Sequence, residues 1–433
     1  MKQFTLLLVL LWFSFVVMSN ENYEQSLTKK PIVSEIELQG LSRTKSKVVF
    51  RELLFAENEI LTTKDLLNSV QRLKNLRIFS HVIPLLQLEN NNRVKVIIQL
   101  SEKWTSIPYA NFSSGGGTEY FYAGMYDINT LGRFFETGIQ YDNWNRKSGG
   151  VAWFHDPRFL DKRLTLQVQL WATRKPRFLY TTSGDSQGNY VLKRNRISLL
   201  FKKEINEWFQ PGIGFDYDSD QIIDTTQESA IDPNTEKLLT NTDKQRGIFN
   251  TLFLQLGKLN YDNYLIDGKL STLIVKHGGD YSGSDINLKM FKWKNEMYWL
   301  LPHKGNAAVN LTFGAAETDN LQHYFYIGGF DNIRGYLDGQ LRNRAYWQLN
   351  TEYRIPSYKS SWLVLQHVFF IDLVQTAHQF SELLGDTQTY YSAGTGIRII
   401  SPKIYRFNGR FDIALITSGD AQSYISFGTQ QFF

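Results

Sequence analysis

Tyr326-Ile327-Gly328-Gly329-Phe330-Asp331-Asn332-Ile333-Arg334-Gly335-Tyr336 combines features that rarely share a loop. Gly328 and Gly329 permit a backbone path that residues carrying a Cβ resist. Gly335 follows the lone cation, Arg334, and lets the chain pack closely beside it. Ordinary loops present small polar side chains to water. Here Phe330, Ile333 and Tyr336 surround an arginine, which reads as a loop folded back into an enclosed, partly polar space. A guanidinium held there needs an acceptor, because a buried cation is tolerated only when paired. The alternative is a long surface hairpin with a chance arginine.

The chain around this loop has a regular pattern of its own. From Trp104 to Phe433 the chain is nearly all strand pattern. Arg163-Leu164-Thr165-Leu166-Gln167-Val168-Gln169-Leu170 alternates apolar and polar without a fault, as do Val309 to Phe313 and Arg410 to Leu415. About sixteen such segments fit into this length, at ~10 residues per strand plus turns. Connections that look short, around Asp161, Asp267-Gly268 and Pro302-His303, alternate with long polar ones such as 224 to 247. Aromatic residues make up 15% of the chain and apolar residues 42%, yet mean hydropathy is negative. Half-apolar strands with aromatic ends give that combination, and so does a membrane barrel with lipid outside and water inside. A soluble β-sandwich is the competing reading. So long a run of strand with aromatics at strand ends argues against it.

Residues 31–103 follow a different pattern. Ile32 to Leu38 is a short strand ending at Gly40. Ser46 to Phe55 carries apolar residues at helical spacing. Thr62-Thr63-Lys64-Asp65 can cap a second helix, with Leu66, Leu67, Val70 and Leu73 on one face. Phe79 to Leu88 and Val94 to Leu100 alternate as a hairpin through Glu89-Asn90-Asn91-Asn92. Before this domain, Lys2 precedes an apolar run from Phe4 to Met18. Residues 1–19 read as a secretory signal peptide, since the run is short of the ~20 residues of a spanning helix.

The Arg334 loop is similar to the Arg-Gly-aromatic loop of the outer-membrane protein insertase and two-partner secretion transporter superfamily, often labelled bacterial surface antigen. Phe370-Ile371-Asp372, about one hairpin downstream, resembles that family's Phe-x-Asp motif, with Leu373 where the family usually has Gly. Gln348 to Pro356 resembles its glutamate-bearing strand. Asn260 to Gly268 resembles a family turn motif without its proline. The strand-helix-helix-strand-strand order of 31–103 resembles one polypeptide-transport-associated (POTRA) module.

The resemblance implies a mainly β fold: a 16-stranded antiparallel transmembrane β-barrel over 104–433, preceded by one small α/β POTRA-like domain over 31–103. Loop 318–343 folds into the lumen. Its motif residues are Gly328, Gly329, Ile333, Arg334, Gly335 and Tyr336. Phe370 and Asp372 are the partners on the neighbouring strand, and Glu352 is a lumen-facing carboxylate. Gly428 and Phe433 belong to a terminal aromatic strand that resembles an insertion signal. The implied function is insertion or translocation of polypeptides at the outer membrane. The N-terminal domain would be periplasmic and would receive an extended chain by adding a strand to its sheet edge, or would merely space the barrel. Partners implied are outer-membrane lipid, an unfolded or extended polypeptide and periplasmic accessory proteins. A plugged barrel acting as surface antigen or adhesin, and a small-solute pore, remain open.

Other classes find little support. A formal net charge of +5 with 21% charged residues and no basic tail gives no nucleic-acid footprint. With no cysteine, disulfides and thiolate metal sites are excluded. No Gly-x-Ser-x-Gly elbow or His-Glu-x-x-His spacing occurs among the seven histidines, so we expect no enzyme, metal or cofactor.

Overall fold

A computed structural model describes residues 27–433 except 116–117, 145, 182–183, 224–230, 233–236, 239–241, 303–304, 329–331, 386, 406, 417–421 and 430–433. For 111–115, 118–120, 231–232, 237–238, 422–424 and 426–429 it gives the backbone course alone. The signal-peptide reading of 1–19 and the terminal Phe433 therefore lie outside the described residues. The chain divides into two compact units, one ending at Glu102 and one beginning at Lys103.

In the first unit, strand Ile32–Gln39 runs parallel to Arg93–Glu102, which pairs antiparallel with Phe79–Glu89. Asn91 and Asn92 both take left-handed φ at the hairpin, which asparagine tolerates better than most residues. Helix Thr63–Asn75 starts where Thr62 Oγ1 accepts the Asp65 backbone N–H at 3.0 Å. The helix buries Leu66 and Leu73 as expected, but its other fully covered positions are Ser69 and Arg72, while Leu67 and Val70 stay half-buried. The polar pair wins those places because it has partners. Arg72 donates to Glu52 Oε2 at 2.7 Å, and Ser69 Oγ accepts the Leu54 backbone N–H at 2.9 Å. The first helix is correspondingly short, Ser46–Phe50 rather than reaching Phe55.

The second unit is one 16-stranded antiparallel sheet. Each strand pairs with its sequence neighbours. Gly305–Glu317 pairs directly with Ala345–Lys359 across the arginine loop. The first four strands, between Ser106 and Asp156, have nine or ten residues, the length a tilted strand needs to cross a bilayer, ~9–11. Leu164–Tyr180, Ser186–Lys203 and Gln245–Asp262 have 17 or 18 and extend well past that length. The turn expected at Asp267-Gly268 lies earlier: Asn263 takes φ 56°, and 267–268 already stand in strand Leu265–Gly278. A left-handed asparagine reverses the chain there before the Asp-Gly pair is reached.

The burial pattern of this sheet is inverted relative to a soluble protein. Along Ala345–Lys359, Gln348, Asn350, Glu352 and Arg354 are buried, whereas Tyr353 between them is exposed. Along Val364–Ala377, Gln366 and Asp372 are buried while Phe369 and Ile371 are more than half exposed. Period-two alternation sends the two sets to opposite faces. The covered face holds the charged groups among buried residues such as Val368 and Val374, while the open face is mainly apolar and suited to lipid rather than water.

Candidate functional site: an arginine-centred ion network under an inward loop

Segment 318–343 connects neighbouring strands, and among its described residues Leu321, Ile327, Ile333, Arg334 and Tyr336 are buried. Near its start, Tyr326 bonds the Tyr190 hydroxyl at 2.6 Å and lies under the Arg177 guanidinium at 4.6 Å. Further on, Ile333 and Tyr336 pack with Val374, Tyr390 and Ile416. Strands 164–203 and 364–416 stand far apart in the sheet order, yet this one loop touches both.

Arg334, 1% exposed, is the centre. Its Nε donates to Asp372 Oδ2 and its Nη2 to Asp372 Oδ1, both at 2.7 Å, and its backbone N–H donates to Oδ2 at 3.1 Å. Its Nη1 donates to Glu352 Oε1 at 2.6 Å. The guanidinium lies over the Phe370 ring at 3.6 Å from the centroid. A planar fork is the group that satisfies a carboxylate and an aromatic face together. Strand register explains the convergence. Asn350 stands opposite Asp372, and Glu352 opposite Phe370, so alternate residues of two adjacent strands deliver carboxylates and ring to one spot.

The network is wider than the sequence indicated. Glu352 also accepts from Arg354 Nε at 2.7 Å and Arg398 Nη2 at 3.0 Å. Arg398 Nη1 reaches Asp412 Oδ1 at 2.6 Å, and Arg410 Nε lies 3.6 Å from Asp412 Oδ2. Asn350 Nδ2 bridges Asp372 and the Asn332 carbonyl at 3.0 and 2.7 Å. Arg354, Arg398, Arg410, Asp412 and Asn350 were not singled out beforehand. For Asn350 and Arg354 the available signal was parity with Glu352, and for Arg410 and Asp412 parity with each other, whereas Arg398 has no other charge on its strand. Gly394 was also missed. A Cβ there would lie 2.5 Å from Phe370 Cζ, so the glycine makes room for the ring beneath Arg334.

The remaining expected residues are placed as follows. Gly328 has φ 135°, and a Cβ on it would meet the Leu337 carbonyl; Gly335 has φ 92° and sits against Ile416. Gly329 lies outside the described residues. Tyr336 donates to the Tyr391 carbonyl at 3.2 Å. Gly428 stands in the last strand opposite Arg410.

The family model described as the Omp85 superfamily domain matches residues 129–433. The chain belongs to the Omp85 superfamily. The POTRA model, described as surface antigen variable number repeat, matches residues 31–103. One curated relative, "Outer membrane protein assembly factor BamA" from Nitratidesulfovibrio vulgaris, is 23% identical over 71% of this chain and 38% of its own length. The chain thus spans well under half of that relative. Among solved structures, BamA from Haemophilus ducreyi lacking POTRA domains 1–3 aligns over 92% of this chain and 83% of its own, at 16% identity and TM-score 0.53. CdiB from Acinetobacter baumannii aligns over 93% and 74%, at 13% identity and TM-score 0.56. The network consists of guanidinium groups paired with carboxylates.

A second polar cluster lies on the same face. Arg194 and Arg196 stand opposite Asp220 and Asp218 and fork onto them, with Nε to Oδ1 distances of 2.7 and 2.6 Å. Asp218, Asp220 and His323 come close enough to share an ion. Both carboxylates are already neutralised by guanidinium groups, so the cluster reads as ion pairs.

Proposed function

We propose that this Omp85 member inserts or translocates polypeptides at the outer membrane, from a closed sixteen-stranded barrel whose interior is held by loop 318–343. The reading is supported by membership of the family together with one observation: a single loop bonded to strands that stand far apart in the sheet order. Closure gains further support at the entry to the sheet. The Trp104 backbone N–H donates to the Lys403 carbonyl, and the Tyr405 N–H donates to the Trp104 carbonyl, each at 3.0 Å. The first strand therefore begins beside the turn that precedes the last two. The leader at 1–19 would be removed on export, and the domain at 31–103 would face the periplasm and receive extended chain on a free sheet edge. Phe433 and Gly428 would serve in recognition of the barrel by the insertion machinery. Chemistry on a substrate is no part of this reading. A loop filling the interior disfavours a freely open solute pore.

The deciding experiment is depletion followed by outer-membrane proteomics. Broad loss of barrel proteins identifies an insertase, and loss of one secreted partner identifies a dedicated translocator. An unchanged proteome overturns the reading in favour of an antigen. In parallel, the unheated full chain should migrate faster than the boiled chain in detergent gels, as a closed barrel does.

A further inference from the structure

One far-end connection turns outward instead of inward. After strand Val364–Ala377, the short 3-10 helix Phe380–Leu384 folds back over the apolar face. Leu383 is buried against Ala345 and Ala377, with Ala315 and Trp347 beside them. Phe380 meets Phe291 edge-on, with centroids 5.4 Å apart. Phe291 shares its strand face with Trp293, which is exposed and stacks on Phe313. Ala315 and Ala345 are small where larger side chains would fill the surface. A cleft of about 720 Å³ results, with Val275, Phe291, Ala315 and Phe380 among its lining. That volume falls within the range of small-ligand sites. Leu384, next to it, is 87% exposed. An unburied leucine at the lip of an apolar cleft suits an acyl-chain environment better than water.

The rim carries the other half of the chemistry. His277, Lys289, Arg344 and His378 line it, against one acid, Glu317. Lys289 reaches Glu317 at 3.2 Å, but both side chains are more than 60% exposed, so this pair is weak and exchangeable. Arg344 is anchored to the Thr318 carbonyl at 3.4 Å and contacts His378. Glu382, also nearby, is turned to the backbone N–H groups of His378 and Gln379. A cationic rim over an apolar trough matches an anionic head group on a hydrocarbon chain. Position agrees. The chain enters the sheet at Ser106, and strand parity puts Gly278, Lys289, Glu317 and Ala377 at the opposite end. With the N-terminal domain in the periplasm, that end meets the outer leaflet.

We propose that this cleft binds a phosphorylated lipid of the outer leaflet, its phosphate on Lys289 and Arg344 and an acyl chain along Phe291, Ala315 and Phe380. The proposal rests on the membrane reading above. It is tested on the delipidated full chain in detergent by native mass spectrometry. The probes are dioleoyl phosphatidic acid, dioleoylglycerol with the same chains and no phosphate, and glycerol phosphate with no chains. Phosphatidic acid should bind at least tenfold more tightly than either of the others. Lys289→Glu should weaken it about tenfold by reversing the rim charge. Ala315→Phe should weaken it about fivefold by filling the trough. Both variants should keep the heat-dependent gel shift. Equal binding of phosphatidic acid and dioleoylglycerol, or equal binding of glycerol phosphate, overturns the proposal. So does unchanged binding in both variants. If the parent chain lacks the heat shift, the membrane reading fails and takes this one with it; a retained shift with unselective binding sinks this one alone.

Discussion

Two ion clusters share the covered face of the sheet, and they are built on opposite plans. Around Asp218 and Asp220, both members of each pair belong to the wall. Arg194 and Arg196 sit directly across from their carboxylates on the adjacent strand, and the loop adds only His323, 3.3 Å from Asp220. Around Asp372, the wall supplies the carboxylates, Phe370 and further arginines, but the guanidinium that forks onto Asp372 comes from the loop. The first cluster is complete without the loop and the second is not. Placement of the loop should therefore depend on Arg334 and far less on His323.

The largest effect is expected at that asymmetry. Arg334→Ala removes the guanidinium fork and leaves Asp372 with the Asn350 amide and the backbone N–H of residue 334, in a site with essentially no exposure. Breaking a buried pair costs ~3–5 kcal/mol. The wall strands keep their own ladder, so the cost should fall on loop position. External protease should cut 318–343 in the variant and spare it in the parent, and activity should be lost. Asp372→Ala should be milder, because Arg334 retains Glu352 at 2.6 Å. The double variant should be little worse than Arg334→Ala, since the two share one interaction. Arg334→Lys should rescue in part: an ammonium can reach one carboxylate but cannot fork and stack at once. A protected loop in Arg334→Ala would break the comparison.

Next comes the floor of the same site. Gly394→Ala puts a methyl 2.5 Å from Phe370 Cζ and 2.0 Å from the Ile413 carbonyl. Overpacking of this kind costs ~1–3 kcal/mol. The ring should tilt away from the guanidinium, giving intermediate protease sensitivity of the loop. Sensitivity equal to the parent's would mean that Phe370 contributes little.

At the self-contained cluster the expectation is small. His323→Gln keeps a polar group near Asp220, and Arg194 still neutralises the carboxylate. A single net hydrogen bond is worth ~0.5–1.5 kcal/mol, so protection of the loop should hold. Cleavage as fast as in Arg334→Ala would show that the loop start, not its centre, fixes the loop.

The two clusters also show what a sequence makes legible. The strands of the sheet were readable because alternation is a local property that lipid and a polar interior impose together. Arg334 was readable because glycines and aromatics marked its loop, and Phe370 and Asp372 because they resemble a family motif one hairpin downstream. Arg398 and Asp412 were not, because nothing local distinguishes a covered charge from a solvated one. The deciding fact is the face of the strand, and that needs the register between strands. In the N-terminal unit the error ran the other way. An apolar stripe of Leu66, Leu67, Val70 and Leu73 fits helical spacing, yet Arg72 and Ser69 take buried places through bonds to Glu52 and Leu54, residues distant in sequence. Period alone cannot weigh such partners.

The smallest effect tests a third setting, a carboxylate near water. Glu102 accepts from Ser42 Oγ at 2.7 Å, the Arg43 N–H at 3.0 Å and the Thr44 N–H at 2.8 Å. Partial burial pushes this carboxyl up, but the hydrogen bonds from Ser42 and Thr44 outweigh it and hold it below the usual range. A depressed folded value means the carboxylate stabilises the fold above the unfolded value, ~4.3. The contribution is lost as pH falls through the lower folded value. Because the group is only partly buried, solvent screening limits it to roughly half a kcal/mol. Hydrogen exchange of a peptide spanning 40–48, expressed as a protection factor, should fall in the parent between about pH 5 and pH 3. In Glu102→Gln it should start slightly lower and stay flat across that window. A drop in the variant as large as the parent's would assign the pH response to another group. A parent response rivalling the loss at Arg334 would mean that exposure does not set the scale of these networks, and the contrast between wall and loop would lose its physical basis.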